Sequence, residues 1–351
     1  MGGDHAPEYE LDAVQQLFSR ATDSKDPIAI VLVGDEAQIR EGLTRRRVQP
    51  TDHLTIRHAT QVVRMDDSPT TAVRSKRDSS MRVCFELVKS GQADAVVSAG
   101  NSGAMLACGA LVWKRLPGAA RPAIVSTFPT VKGDVVLCDI GANVDVQAPV
   151  LAQFGVLGSA FAQATLKKTR PRLGLLSNGT EDGKGTDLTR GAHEILRRLG
   201  DRGASFEYVG YIEGRDIFRG DVDVVATDGF TGNVVLKTAE GTAEALVAFL
   251  KNAFKSSPRA TLAGLLARPA LRAFRQRIDY RETGGAPLLG IDGLAIVCHG
   301  ASNGTALKNG VRAAARYAKL ELTTRVREAL AQARAAGLTD VDELKESKGR
   351  A

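Results

Sequence analysis

Residues 223–241 read DVVATDGFTGNVVLKTAEG. An apolar run ends in Thr-Asp-Gly, a short Gly/Asn loop follows, and a helical pattern opens with a lysine in its first turns. Amides, carboxamides and one cation are present and a nucleophile is not, which is equipment for holding an anion at the end of a strand. Lys237 falls one helical turn after Asn233, so both can face a crevice; a solvated lysine is the competing reading. Asp228 either orients a cation or caps the turn, and Gly229, Thr231, Gly232 and Asn233 complete the loop.

Four more apolar runs end the same way, in SAGNSGA, CDIGANVD, LLSNGTEDGKG and VCHGASNGT. Glycine lets backbone approach a ligand, and ligands of open α/β sheets sit beyond the strands' carboxyl ends. Five such loops are therefore expected to converge on one sheet edge as an anion-binding crevice. Asn101, Ser102 and Gly103 open a helix whose amides can face phosphate, or Asn101 simply caps it. Lys184 follows Asn178 on a Gly-rich loop and can neutralise an anion. Neither G-x-G-x-x-G at a βαβ start nor a P-loop is present, which argues against nucleotide binding.

The elements that position these loops alternate. Strands are expected over 27–34, 52–59, 93–100, 122–129, 134–141, 172–179, 206–214, 221–229 and 293–300. Helices are expected over 8–21, 71–90, 104–115, 149–167, 187–199, 232–255, 302–318 and 320–336. Val/Ile-rich strands flanked by helices predict an α/β fold with a mostly parallel, doubly wound sheet buried on both faces. Residues 1–336 read as one α/β domain, interrupted by a helical hairpin at 245–279, with a polar tail at 337–351.

The 351 residues are 43% hydrophobic and 25% charged, with a net charge of +7, as suits a globular chain with a sizeable core. The four cysteines lie in apolar contexts without a C-x-x-C pair, so buried reduced thiols are expected rather than disulfides or zinc. His, Asp and Glu show no metal-ligand spacing, and no metal or cofactor is expected. The N-terminal MGGDHAPEYELD has no apolar core of a signal peptide, and no run of about 18 apolar residues suggests a membrane span.

The basic charge is concentrated. From Ala245 to Arg277 stand Lys251, Lys255, Arg259, Arg268, Arg272, Arg275 and Arg277, and no acid. Leu and Phe recur between them near helical spacing, giving a basic amphipathic hairpin that suits anionic lipid or an acidic protein. A dimer interface is the alternative, and the scarcity of aromatics argues against nucleic acid.

Taken together, MGGDHAP, MDDSPTTAVRSKRDSSMRV, ADAVVSAGNSGAML, CDIGANVD, EGRDIFRGDVDVVATDGFTGNVVLKTAEG and GGAPLLGIDGLAIVCHGASNGTALKNG resemble the PlsX family of acyl-carrier-protein:phosphate acyltransferases, from residue 1 to about 318. The resemblance implies an isopropylmalate-dehydrogenase-like fold, a homodimer, and a cytoplasmic enzyme peripherally associated with an anionic membrane. It implies transfer of a long-chain fatty acyl group from acyl carrier protein to inorganic phosphate. The acyl-phosphate would feed a membrane acyl-phosphate:glycerol-3-phosphate acyltransferase of phospholipid synthesis.

That chemistry needs no covalent nucleophile, only a phosphate held against a thioester carbonyl and donors for the oxyanion. By family match Asn143 and Asp145 are site residues, although Asn143 suits a left-handed turn equally. His299 and His5, each in a Gly loop, are candidates to donate to the oxyanion or protonate the departing thiolate. Lys184 is a third candidate at that thiolate, whose charge it can neutralise. Asp4 and Asn303 flank these histidines, while Arg74 and Lys76 read as phosphate contacts, carrier contacts or a solvated face. Family relatives carry a strand before MGGD, so the start is expected to lie upstream, which bears on Asp4 and His5. A phosphate acetyl- or butyryltransferase using coenzyme A is the nearest rival, ahead of a dehydrogenase of related fold and a lipid-binding protein.

Overall fold

Ten strands and twelve helices alternate in the computed structural model of the chain, which describes residues 2–19, 28–278 and 284–338. The strands are β1 (Ile30–Gly34), β2 (Leu54–His58), β3 (Val96–Ser98), β4 (Ala123–Thr130), β5 (Gly133–Cys138), β6 (Arg172–Leu176), β7 (Glu207–Ile212), β8 (Val224–Ala226), β9 (Ala286–Leu289) and β10 (Ala295–Val297). The helices are α1 (Glu8–Phe18), α2 (Glu36–Arg45), α3 (Pro69–Ser75), α4 (Ser80–Lys89), α5 (Ser102–Cys108), α6 (Ala148–Leu166), α7 (Asp187–Asp201), α8 (Gly229–Ala253), α9 (Pro258–Leu266), α10 (Arg268–Ile278), α11 (Gly304–Lys319) and α12 (Leu322–Ala335). The α/β architecture with a mostly parallel sheet is as the alternation predicts. The part of the expected C-terminal tail from 339 onward lies outside the described residues.

One sheet has eight strands in the order β3-β10-β9-β4-β5-β8-β6-β7, and β1 and β2 form a separate parallel pair. β3 and β10 are parallel, as are β5, β8, β6 and β7, but β9 and β4 intervene with antiparallel pairings. The sheet therefore has two parallel halves running in opposite directions. Register brings their ends level: Val297 of β10 pairs with Ala286, Leu288 of β9 with Ile124, and Cys138 of β5 with Val125, one residue on. The Gly/Asn loops thus leave the sheet as two facing sets and not along one edge, a correction forced by the antiparallel pair in the middle.

Burial explains the helices. α6 is apolar all round because it lies in the core, packed between β5, β8, α7 and α12, with Phe154, Leu157 and Phe161 at 1% exposure or less. The expected helix over 71–90 is two helices, since α3 ends before Lys76 and Ser79 caps α4. α2, unassigned from sequence, is a charged helix capped by Asp35 that buries only Ile39, Gly42 and Leu43. A groove of about 880 Å3 lies between β1 and β3, lined from α1, α4 and α11.

Candidate active site

The first loop set gathers at the ends of β3 and β10. The N-terminal segment lies along it: the Asp4 amide donates to the Gly300 carbonyl at 3.4 Å, and a Cβ on Gly3 would stand 3.2 Å from the Ala99 oxygen. Asp4 and His5 are exposed, with the His5 ring tilted 4.7 Å from Tyr9. Asn101 is buried and fully engaged. Its Oδ1 accepts from the Ala104 amide, and its Nδ2 donates to the carbonyls of Arg64, Met65 and Asp67 at 3.1 to 3.3 Å. The carboxamide is therefore a cap and a clamp on the 64–67 turn, not a ligand. Asn303 likewise caps α11 through the Ala306 amide at 3.0 Å. In the same turns, the amides of Ser102, Gly103, Gly304 and Thr305 meet no protein acceptor among the described residues. Lys76 is spent on Asp67, whose carboxyl it holds below the ordinary range, and Arg74 is exposed.

The second set forms where β5 and β8 end. Asp228 caps α8, accepting from the Thr231 amide at 2.9 Å and its hydroxyl at 2.7 Å. The glycines serve packing: a Cβ on Gly229 would meet the Asn143 carbonyl oxygen at 2.6 Å, and one on Gly232 the Asp139 carbonyl oxygen at 1.9 Å. Asn143 is buried in this joint, donating to Pro122 and Asp139 and accepting from the Gly229 amide. Asp139, fully buried, accepts from the amides of Ile124, Ala142 and Asn143 and from the Asn143 side chain. Burial pushes its carboxyl up against those four donors. Asp145 and Asn233 remain exposed.

Helix α8 joins the two sets. Gly229 to Lys237 is eight residues, about 12 Å of helix, and at that distance Lys237 Nζ lies 3.3 Å from His299 Nε2 at the far loop. Glu240 Oε2 holds the same ammonium at 3.0 Å, and His299 Nδ1 faces the Ala301 amide at 3.2 Å. Two candidates 62 residues apart thus meet. Lys184 does not join them; it stands exposed, and its described contacts lie inside its own loop, where Asn178 Oδ1 accepts from the Gly185 amide at 2.9 Å. His58 and His193 are structural, bonded to the Glu36 amide and the Tyr208 hydroxyl.

Relatives decide the family. The model of the fatty acid synthesis protein family matches residues 1–325. The phosphate acyltransferase of Syntrophotalea carbinolica is 50% identical over 314 residues, covering 90% of this chain and 87% of that one. That of Geobacter sulfurreducens is 46% identical over 347 residues, covering 99% and 97%. The chain belongs to the PlsX family. Among solved structures, the EutD phosphotransacetylase of Staphylococcus aureus aligns with a TM-score of 0.57 at 15% identity, covering 89% of this chain and 91% of that one. A branched-chain phosphotransacylase of Enterococcus faecalis aligns with a TM-score of 0.53 at 16% identity, covering 90% and 96%. At those identities the likeness is one of fold.

Beyond its loops, this PlsX chain projects the basic segment. Lys251, Lys255 and Arg268 rim an apolar groove of about 610 Å3 floored by residues such as Leu250, Phe254 and Leu265. Arg259 and Arg272 are exposed, but Arg277 turns back to Asp134 at 2.9 Å and the Gly133 carbonyl, so its charge is spent on the β4–β5 turn. The side chain of Arg275 lies outside the described residues. Sequence reasoning missed Asp139, Glu240 and Ala301. Glu240 had a signal, since three residues after Lys237 is an ion-pair spacing.

Proposed function

We propose that this phosphate acyltransferase moves a long-chain fatty acyl group from acyl carrier protein to inorganic phosphate. The observation that carries the chemistry is the Lys237–His299 contact, which joins the two loop sets. A phosphate held there attacks the thioester carbon. Its P–O–C bond forms as the C–S bond breaks, and the proton of the phosphate passes to the leaving thiolate. Lys237 offsets the charge of the phosphate, and His299 serves the oxyanion or the thiolate. No covalent acyl-enzyme is needed, consistent with four thiols that desolvation holds protonated.

The acid-free projection supports an acidic carrier protein, since its rim cations complement such a surface and its apolar groove does not suit a free nucleotide. We extend the reading to a homodimer peripherally bound to anionic membrane, delivering acyl-phosphate to phospholipid synthesis, with the exposed Leu262, Leu265, Leu266 and Phe249 as its apolar contacts. The test is incubation with phosphate and either palmitoyl-acyl carrier protein or palmitoyl-coenzyme A. Acyl-phosphate and free carrier thiol from the first donor, with little from the second, supports the reading; the reverse assigns a coenzyme A-dependent transacylase.

A further inference from the structure

Glu240 is the one acid touching the Lys237–His299 pair among the described residues, and nothing in the chemistry of phosphate binding calls for an anion there. Its side chain is 18% exposed, and its described polar partner is Lys237. Lys237, 47% exposed, would otherwise sample many rotamers in water. Donor arithmetic at His299 says what the anchoring achieves. Nδ1 faces the Ala301 amide, so it accepts, and the ring's proton in the neutral form sits on Nε2. Nε2–H and the Lys237 ammonium then both direct donors into one gap, their nitrogens 3.3 Å apart, where neither can accept from the other. A single anionic oxygen seated between them would satisfy both.

Resting on the reading of this pair as the active site, we propose that Glu240 is a positioning residue: its carboxylate fixes the Lys237 ammonium beside His299 Nε2 and so holds open a two-donor seat for one anionic oxygen of the substrates. The carboxylate also balances the lysine's charge before substrate arrives. It touches neither substrate nor reacting atom and acts through Lys237.

The variant is Glu240→Gln, assayed with palmitoyl-acyl carrier protein and inorganic phosphate, alone and combined with Lys237→Ala. On electrostatics alone, deleting an anion beside an anion site tightens phosphate and lowers its KM. Positioning demands instead that kcat fall about tenfold, as expected when a donor that acts in the transition state is misplaced, with the thermal midpoint unchanged. It also demands that Glu240→Gln change kcat less than twofold in the Lys237→Ala background, because its only route to the chemistry is gone. Unaltered kcat in the single variant, or an equal loss in both backgrounds, overturns the proposal. Near-wild-type activity in both Lys237→Ala and His299→Ala would instead remove the site reading beneath it. Glu240→Asp, one methylene shorter, replaces the amide variant if that fails to fold, and an intermediate loss of kcat is the expected result.

Discussion

Gly232 stands against the carbonyl of Asp139 so closely that a Cβ there would lie 1.9 Å from its oxygen. α8 can enter the joint only because that position has no side chain. Gly232→Ala must push the helix off the 139–143 turn, at a cost of about 3 kcal/mol or more. Gly241, on the exposed middle of the same helix, has open space where its Cβ would go. Gly241→Ala should therefore stabilise by about 0.5–1 kcal/mol. Urea unfolding of the two variants checks the opposed signs, and the first should also lose activity as Lys237 moves.

The same logic places the reaction's donors. Removing either member of the Lys237–His299 pair should lower kcat/KM by roughly 100-fold, with unfolding midpoints unaltered. Lys184→Ala, on a loop whose described contacts stay within itself, should cost less than tenfold. Steady-state kinetics with carrier-bound substrate separates the three.

Stability should fall in acid through Asp223. Burial drives its carboxyl up, but bonds from the Arg172 amide at 2.9 Å and guanidinium at 3.1 Å outweigh this and hold it below the ordinary range. A carboxyl depressed in the folded state contributes fully above its unfolded pKa, about 3.9, and the contribution is lost as pH falls through the folded value. Asp223→Asn should cost about 2 kcal/mol at neutral pH, with the gap to wild type closing below about pH 4. Denaturant titrations at pH 7 and pH 3 measure it.

The thiols should be bystanders. Desolvation pushes Cys84 up to about 11, and Cys108 and Cys298 up to about 12. Iodoacetamide at pH 8 should leave activity intact in the native protein and label all four cysteines only after unfolding. Mass spectrometry of the alkylated chain reads this directly.

Charge reversal at Lys251 and Lys255 should raise the KM for acyl carrier protein substrate about tenfold at low salt. Activity with an acyl-coenzyme A donor should change by less than about twofold, because Lys251 stands about 20 Å of helix beyond Lys237 and Lys255 follows the end of that helix. Added salt should shrink the first effect, as screening of an electrostatic encounter requires.

The alternation of strand and helix was legible because burial on both faces of a sheet leaves continuous Val/Ile runs, as in β5 and β8. The direction of the strands was not. β9, four residues long, carries no period of its own, yet it and β4 turn half the sheet around. At the site, the motif at 227–233 was visible but its purpose was misread in part. Gly229 and Gly232 are small for the sake of a helix joint, and Asn101 and Asn143 spend their carboxamides on carbonyls and a carboxylate. A Gly/Asn-rich loop reads alike whether its donors face a ligand or its own backbone, and only packing distinguishes the two. The Lys237–His299 meeting depends on a straight helix crossing between loop sets, which no local pattern encodes.

That crossing has a mechanical corollary. α8 is rooted in the half of the sheet that holds β5 and β8, whereas His299 belongs to the half that holds β10, and the main-chain seam between the halves is the short pairing of β4 with β9 at Ala123–Leu289 and Ile124–Leu288. Lys237 therefore works like the bolt of a latch mounted on one leaf of a hinge, with His299 as its strike plate on the other. Tilting the leaves at that seam would open the gap between bolt and plate, against the resistance of two apolar clusters that each draw residues from both halves. Admission of a bulky tethered thioester and the grip on phosphate would then be two readings of a single angle.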